Sequence, residues 1–281
     1  MQTGVNAGAG AVEEHYGVGE VAAADGRTRV EASLGPWARM RDGRFAGGVL
    51  GPLVDMAWSH AVLDRRPPDR WGVSTEISVD FVADPVPNSR LIATGETLAV
   101  DADGGIARGE VRDEGGELVA VGTLWSAFID VAPPERPARA VDIDADQPGD
   151  AAAGRPSDFE ELLGLRDAAT DLVLPQSPQM TNPLGVGHGG ALFAAAALAA
   201  MTALDSSAGR LESLRGVYIR QAVGDVTMTA AVVHAGRRFA TVLVTALGAD
   251  GRPAAQFTAA IRTVEQIEGT RGGRSRPGRP N

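Results

Sequence analysis

The sequence has no cysteine in its 281 residues. That excludes disulfides, thiolate metal sites and a cysteine nucleophile, and leaves the compartment open. Histidine is scarce. The four are His15, His60, His188 and His234, and no two are close enough in sequence to form a local metal-ligand pair, so no metal is expected. Positive charge is in deficit: the formal net charge of -10 argues against a nucleic-acid binder. Long hydrophobic runs are missing too. The longest uncharged apolar stretch, Gly189 to Leu204, is shorter than the ~20 residues that span a bilayer. Met1 to Ala11 has neither the basic start nor the apolar run of a signal peptide. The expectation is a cytoplasmic protein that enters no membrane.

What is present is ample for a packed core. Apolar residues make up 44% and charged residues 22%, which suits two domains of ~130 residues each. Four zones follow. Residues 1–130 are globular in pattern. Residues 131–157, beginning Ala132-Pro133-Pro134-Glu135-Arg136-Pro137, are rich in proline, alanine and aspartate and read as a surface linker. Residues 158–266 are globular again. Residues 267–281 are rich in glycine, arginine and proline and read as a disordered basic tail.

The two globular zones repeat one another. Ala46-Gly47-Gly48-Val49-Leu50 leads into an apolar stretch ending near Leu63, and His188-Gly189-Gly190-Ala191-Leu192 leads into one ending near Leu204. Both are too long for strands and apolar on almost every face, so each reads as a buried helix opened by a Gly-Gly turn. Strand patterns follow in both. Ile77, Val79 and Phe81 alternate with polar residues, then come Leu91 to Val100, Ile106 to Arg112 and Leu118 to Ile129. The second zone has Val217 and Ile219, then Val226 to His234, Phe239 to Leu247 and Pro253 to Val264. Asp113-Glu114-Gly115-Gly116 and Asp250-Gly251 mark hairpins. An earlier strand is expected near Val21 to Leu34, and another near Asp171 to Leu174. The fold class is α+β: each unit is a helix followed by a four-strand antiparallel meander curved around it.

Asn182-Pro183-Leu184-Gly185-Val186-Gly187-His188-Gly189-Gly190, followed by a buried helix and a meander, resembles the hotdog-fold acyl-CoA thioesterases of the phenylacetate-pathway type. That family shows an asparagine, a His-Gly-Gly turn and an acid on the helix nine residues after the histidine. The second half has Asn182 and His188 but Ala197 at the acid position. The first half has Met40 and Ala46 where the asparagine and histidine would stand, and Asp55 at the acid position. In single-unit relatives the site lies between two subunits, one giving the turn and the other the acid. The resemblance therefore implies two tandem hotdog units packed as an intrachain pseudo-dimer. One composite site would be built from Asp55, Asn182, His188, Gly189 and Gly190, with a dead mirror site. Gly72-Val73-Ser74 matches the strand-start hydroxyl of the family and adds Ser74, whereas Leu211-Glu212-Ser213-Leu214 matches it poorly. The implied substrate is an acyl-CoA, with coenzyme A as part of the substrate and no other cofactor. Two such chains could pair as a homodimer.

The chemistry agrees with the residue types. The free N–H groups at a helix start offer donors and partial positive charge to a developing oxyanion, which makes Gly189 N–H the candidate donor. Asp55, among Leu53, Val54, Met56, Ala57 and Trp58, could act as base on water or as nucleophile. Asn182 could hold the water or the thioester, and Ser74 the water. Each residue also has a plainer reading. Asp55 could sit at a helix edge, His188 could cap the helix, and Asn182-Pro183 is an ordinary turn dipeptide. Arg237 and Arg238 are candidates for the phosphates of coenzyme A or simply a charged hairpin end. His60 and His234 read as structural. Trp37, Trp58, Trp71 and Trp125 read as core rather than acyl pocket. Two other activities use similar parts: a hydratase or dehydratase acting on acyl thioesters, and a non-catalytic acyl-thioester binder.

Overall fold

The computed structural model describes residues 3–7, 10–86, 88–131, 139–142, 156–164, 166–167, 171–204 and 209–263. The reading of 267–281 as a tail lies outside the described residues, as does most of 131–157.

The strands of the first half are β1 (Thr3–Ala7), β2 (Val18–Ala24), β3 (Arg27–Ser33), β4 (Trp71–Phe81), β5 (Arg90–Val100), β6 (Gly104–Asp113) and β7 (Leu118–Ile129). A short β8 (Arg139–Asp142) follows, then β9 (Arg166–Asp167), β10 (Leu172–Leu174), β11 (Gly209–Tyr218), β12 (Val226–Ala235), β13 (Phe239–Leu247) and β14 (Pro253–Thr263). All belong to one antiparallel sheet in the order β8-β1-β2-β3-β5-β6-β7-β4-β11-β14-β13-β12-β10-β9. The order reads alike outward from the β4–β11 junction, where Ser213 to Val217 pair with Asp80 to Glu76. That junction joins the two halves into a single sheet.

Three details differ from the sequence expectation. The meander is not sequential, because β4 pairs with β7 and β11 with β14. The connections after β4 (82–89) and β11 (219–225) are too long for hairpin turns, whereas those within β5–β6–β7 and β12–β13–β14 are short. The strand expected from Val21 to Leu34 is two strands. Asp25 and Gly26, at φ 53° and 72°, make the left-handed two-residue turn that folds the chain back as a hairpin. Within 131–157, Arg139 to Asp142 pairs with β1 as a strand.

Among the described residues the α-helices are α1 (Ala11–His15), α2 (Gly51–Leu63), α3 (Phe159–Leu163) and α4 (Gly189–Thr202); α1, α2 and α4 lie against the sheet, and α3 packs on α4 and on the 3-10 turn Pro36–Ala38. In α2 every residue except Ser59 and His60 is buried, and in α4 every residue from Gly190 to Met201 is. A helix apolar all round must be covered all round. Each of these packs on its own half of the sheet and on the other helix. Their N-terminal ends meet at glycine. A side chain on Gly51 would collide with the Gly190 carbonyl, and a Cβ on Gly190 would lie 2.6 Å from the Gly51 carbonyl oxygen. One turn earlier, a Cβ on Gly48 would stand 2.5 Å from the Ala197 Cβ. None of the helices among the described residues is long and apolar enough to cross a membrane.

Gly51→Ala should force the crossing apart. Overpacking of this kind costs about 1–3 kcal/mol, so the melting temperature should fall by roughly 2–4 °C per kcal/mol in a chain of this size. Thermal unfolding followed by circular dichroism checks it, and an unshifted transition would show that the helices can separate freely.

Candidate active site

The loop before α4 is built by its own polar groups. Asn182 accepts at its side-chain Oδ1 from the N–H groups of Leu184 (2.9 Å) and Val186 (3.3 Å), and Gly185 takes φ 73° to close the turn. The carbonyl end of the Asn182 amide is therefore committed to the loop, and its Nδ2 is the end left for a ligand. His188 follows as the N-cap of α4: its Nδ1 accepts from the Gly190 N–H at 3.1 Å.

Asp55 reaches this turn from the other helix. Its Oδ2 accepts from the Gly190 N–H at 2.7 Å, and its Oδ1 accepts from the Ser74 hydroxyl at 2.6 Å. The same Oδ2 lies 3.4 Å from His188 Nδ1. Asp55 is only 6% exposed. The carboxylate is stabilised by two short hydrogen bonds and by the partial positive charge at the start of α4. Ser74 arrives from β4 at a break in strand register between Ser74 and Glu76.

Two further groups complete the cluster. Glu13, on α1, lies 3.2 Å from His188 Nε2 and is itself buried. With Nδ1 accepting the Gly190 N–H, the Nε2 edge of the ring is the one that faces Glu13 as a donor. Glu13 is held by the Gly10 N–H at 2.9 Å. Tyr218, at the end of β11, donates its hydroxyl to the Gly189 carbonyl at 2.7 Å. Burial, and then the negative charge of Asp55, push its phenol well above the ordinary tyrosine value, so it remains a proton donor.

These residues border one cavity of about 330 Å³. Asp55, Ser74, Asn182, His188 and Gly189 all line it, as do Glu13 and Tyr218. Gly190 contributes its N–H from behind. One wall is apolar (Met56, Leu63, Trp71, Val73 and Ile129), and another carries Arg220 and Gln221. Of the tryptophans, Trp37 and Trp58 are core, Trp71 is cavity wall and Trp125 is exposed. Arg237 and Arg238 are exposed on the β12–β13 turn and do not line the cavity. Arg220 does, tied to Asp250 at 2.6 Å. His60 borders the cavity with its Nδ1–H on the Met56 carbonyl at 2.9 Å. His15 bonds the Leu162 carbonyl and His234 lies against Phe239. A larger hollow of about 860 Å³ lies over β3, β5, β6 and β7, where Arg108 pairs with Glu96; it contains none of the groups above. Among the described residues no three histidine, aspartate or glutamate side chains gather as metal ligands.

The mirror position lacks these polar groups, and its turn passes through a 3-10 helix (Gly47–Leu50) before α2, where α4 starts directly at Gly189. The register break of β4 recurs in β11 between Leu211 and Ser213, which aligns Leu211, not Ser213, with Ser74. A Cβ on Gly189 would meet Asp55 Oδ2 at 2.9 Å and Tyr218 at 3.6 Å; one on Gly47 would meet Phe81 at 3.1 Å and Leu211 at 3.4 Å. Ala46, Met40 and Ala197 are buried there as well. Acid, hydroxyls, imidazole and amide are thus replaced by alanine, leucine, phenylalanine, alanine and methionine.

Comparison with known proteins gives the class. The family model described as acyl-CoA thioesterase C-terminal domain matches residues 2–123, and the one described as acyl-CoA thioesterase N-terminal domain matches residues 177–263. The two domain types stand here in reverse order. The chain belongs to a thioesterase family and is a thioester hydrolase. Solved structures share the fold. A candidate thioesterase II from Thermobifida fusca has a TM-score of 0.59 at 16% identity, over 90% of this chain and 99% of that one. The TesB protein of Mycobacterium avium subspecies paratuberculosis has 0.58 at 10% identity, over 86% and 95%. The 12:0-ACP thioesterase of Umbellularia californica has 0.55 at 11% identity, over 86% and 99%. A search of curated protein sequences finds no match.

Glu13→Ala should leave the buried His188 Nε2–H without its carboxylate and lower unfolding free energy by about 1–3 kcal/mol. Glu13→Gln keeps an acceptor and should lose less. Urea denaturation of both variants checks the order, and equal losses would mean that the contact with His188 is not what Glu13 supplies.

Proposed function

We propose that this chain is a double-hotdog acyl-CoA thioesterase of the phenylacetate-pathway type, with its two halves acting as an intrachain pseudo-dimer and one working site between them. The observation that carries the proposal is the contact across the two helices: Asp55 of α2 is bonded to the Gly190 N–H of α4 and to Ser74 in one cavity. Asp55 is the base. The Ser74 hydroxyl donates to Asp55, so its oxygen is left to accept a hydrogen bond from the attacking water and hold it. Gly189 N–H, at the first position of α4, has no acceptor among the described residues and is the donor to the thioester oxygen. The Asn182 Nδ2 is a second donor on the same wall.

Hydrolysis then balances as follows. The water oxygen bonds to the thioester carbon as its proton passes to Asp55. The carbonyl electrons move onto oxygen, against the Gly189 N–H. The carbonyl re-forms, the C–S bond breaks, and the proton on Asp55 passes to the sulfur, releasing free acid and thiol. The apolar wall from Met56 to Trp71 takes the acyl chain, and the side bearing Asn182, Arg220 and Gln221 takes the carrier arm. Coenzyme A is the carrier we propose, action in the cytoplasm the setting, and pairing of two chains the assembly.

Asp55→Asn should lower kcat by about 10²–10⁴-fold with little change in melting temperature. Adding Ala197→Asp to that variant should restore nothing, since Phe81 and Leu211 stand at Gly47 where Tyr218 and Asp55 stand at Gly189, and neither can hold a water. Thiol release from a panel of acyl-CoAs measures both; full hydrolysis by Asp55→Asn would remove the composite site. The same panel tests the acyl wall. Trp71→Ala should move the preferred substrate toward longer or bulkier acyl groups, and an unchanged ranking would assign the acyl chain to another wall.

A further inference from the structure

The Gly189 carbonyl and the Gly190 N–H belong to one peptide group, and that group is held at both ends. Its oxygen accepts from the Tyr218 hydroxyl at 2.7 Å and its N–H donates to Asp55 at 2.7 Å. We propose that Tyr218 is a positioning residue for the hydrolysis: its hydroxyl fixes the Gly189–Gly190 peptide plane, and through it the Asp55 carboxylate. The inference rests on the composite site proposed above.

Three observations support it. The first is geometric. Gly190 N–H has two acceptors in reach, Asp55 Oδ2 at 2.7 Å and His188 Nδ1 at 3.1 Å. A small rotation of the peptide changes which of them it favours, and glycines on both sides resist such a rotation least. A donor on the carbonyl opposes the rotation and polarises the N–H toward the carboxylate. The second is the mirror position. Phe81 stands against Gly47 as Tyr218 stands against Gly189, and the chain there is buried but enters its helix through a 3-10 turn, Gly47–Leu50, where α4 starts directly at Gly189. A ring without the hydroxyl therefore packs against the glycine, but without the α-helical start that the hydroxyl holds at Gly189. The hydroxyl occurs only on the side that carries Asp55, Ser74 and His188. The third is electrostatic. The phenol stays protonated because burial and the Asp55 charge both oppose its ionisation, so it remains a donor wherever Asp55 is charged. Tyr218 is seated by an edge-on contact with Phe257, ring centres 5.8 Å apart, so its hydroxyl has little freedom to leave the carbonyl.

The test is Tyr218→Phe, which removes one oxygen and copies the mirror side. Loss of a single neutral hydrogen bond corresponds to a fall in kcat of roughly 2- to 12-fold, with the centre of that range near fivefold. KM, and affinity for a non-cleavable thioether analogue of the best acyl-CoA, should change less than about twofold, because the hydroxyl does not meet the substrate. The amide proton of Gly190, followed by NMR in the full-length protein, should move upfield as its bond to Asp55 weakens. A kcat within twofold of wild type overturns the proposal. So does an equal loss of kcat and analogue affinity, which would make Tyr218 a binding residue, or a Gly190 amide that does not move. If the variant loses cooperative unfolding, the hydroxyl is a requirement of the fold, and the proposal falls on that ground. Failure of the composite site is separable. An active Asp55→Asn removes that site, whatever the Gly190 amide does. An inactive Asp55→Asn with a normal Tyr218→Phe keeps the site and removes only the role of Tyr218.

Discussion

The bond from Gly190 N–H to Asp55 is the contact on which the rest depends. It joins the start of one buried helix to the side of another, and thereby one half of the chain to the other. A carboxylate buried to this degree is strongly destabilising unless it is hydrogen-bonded and faces positive charge. Here it has a backbone donor, a hydroxyl and the positive end of α4. The contact is possible only because the helices approach at glycine. Side chains at Gly51 or Gly190 would hold the helix ends apart, and Asp55 would then face a gap instead of a peptide N–H. Close packing and chemistry are consequently set by the same few residues.

That coupling bears on how the two halves differ. A polar group in a buried position must be satisfied as part of a full set or it is destabilising. Where one member of such a set is absent, its neighbours lack their partners and apolar residues are favoured in their place. At the mirror position Ala197, Leu211, Phe81, Ala46 and Met40 are all apolar and buried. On the other side Asp55, Ser74, His188 and Glu13 are bonded to one another or to the Gly190 N–H, Tyr218 to the Gly189 carbonyl, and Asn182 to its own loop. The asymmetry accords with the interdependence of buried polar groups.

Much of this was legible in the sequence, for reasons that can be named. Both central helices declared themselves because they are apolar on all faces and opened by Gly-Gly, and β5, β6, β7, β12, β13 and β14 because they alternate. Asp55 and His188 could be paired because the repeat gave their offset. What escaped depends on long-range contact. Glu13 sits on a helix of five residues, too short for periodicity to register. Tyr218 read as one more strand residue, and nothing local marks its hydroxyl as aimed at a carbonyl. The counterpart of Ser74 was hidden by the register break in β11, which shifts Leu211 into its place. Asn182 was found, but its turn takes up the oxygen that might have bound water. The pairing of β4 with β7 rather than β5 is likewise a long-range property of the sheet and leaves no trace in alternation.

The reversed order of the two domain types follows from the same geometry. The halves meet through an antiparallel pair, β4 with β11, and through two helices crossing at their N-terminal ends. Both contacts are made between groups well inside each half, so neither depends on which half comes first. Chain order alters only the connection between the halves, and loop-closure entropy depends weakly on the length of a connection. The position of the acid is a different matter. Here the turn is in the half that matches the N-terminal domain type, and Asp55 is in the half that matches the C-terminal type. The hydrogen bond from Gly190 N–H to Asp55 therefore runs between unlike halves across the helix crossing, and that contact depends on where the helices meet, not on which half comes first along the chain.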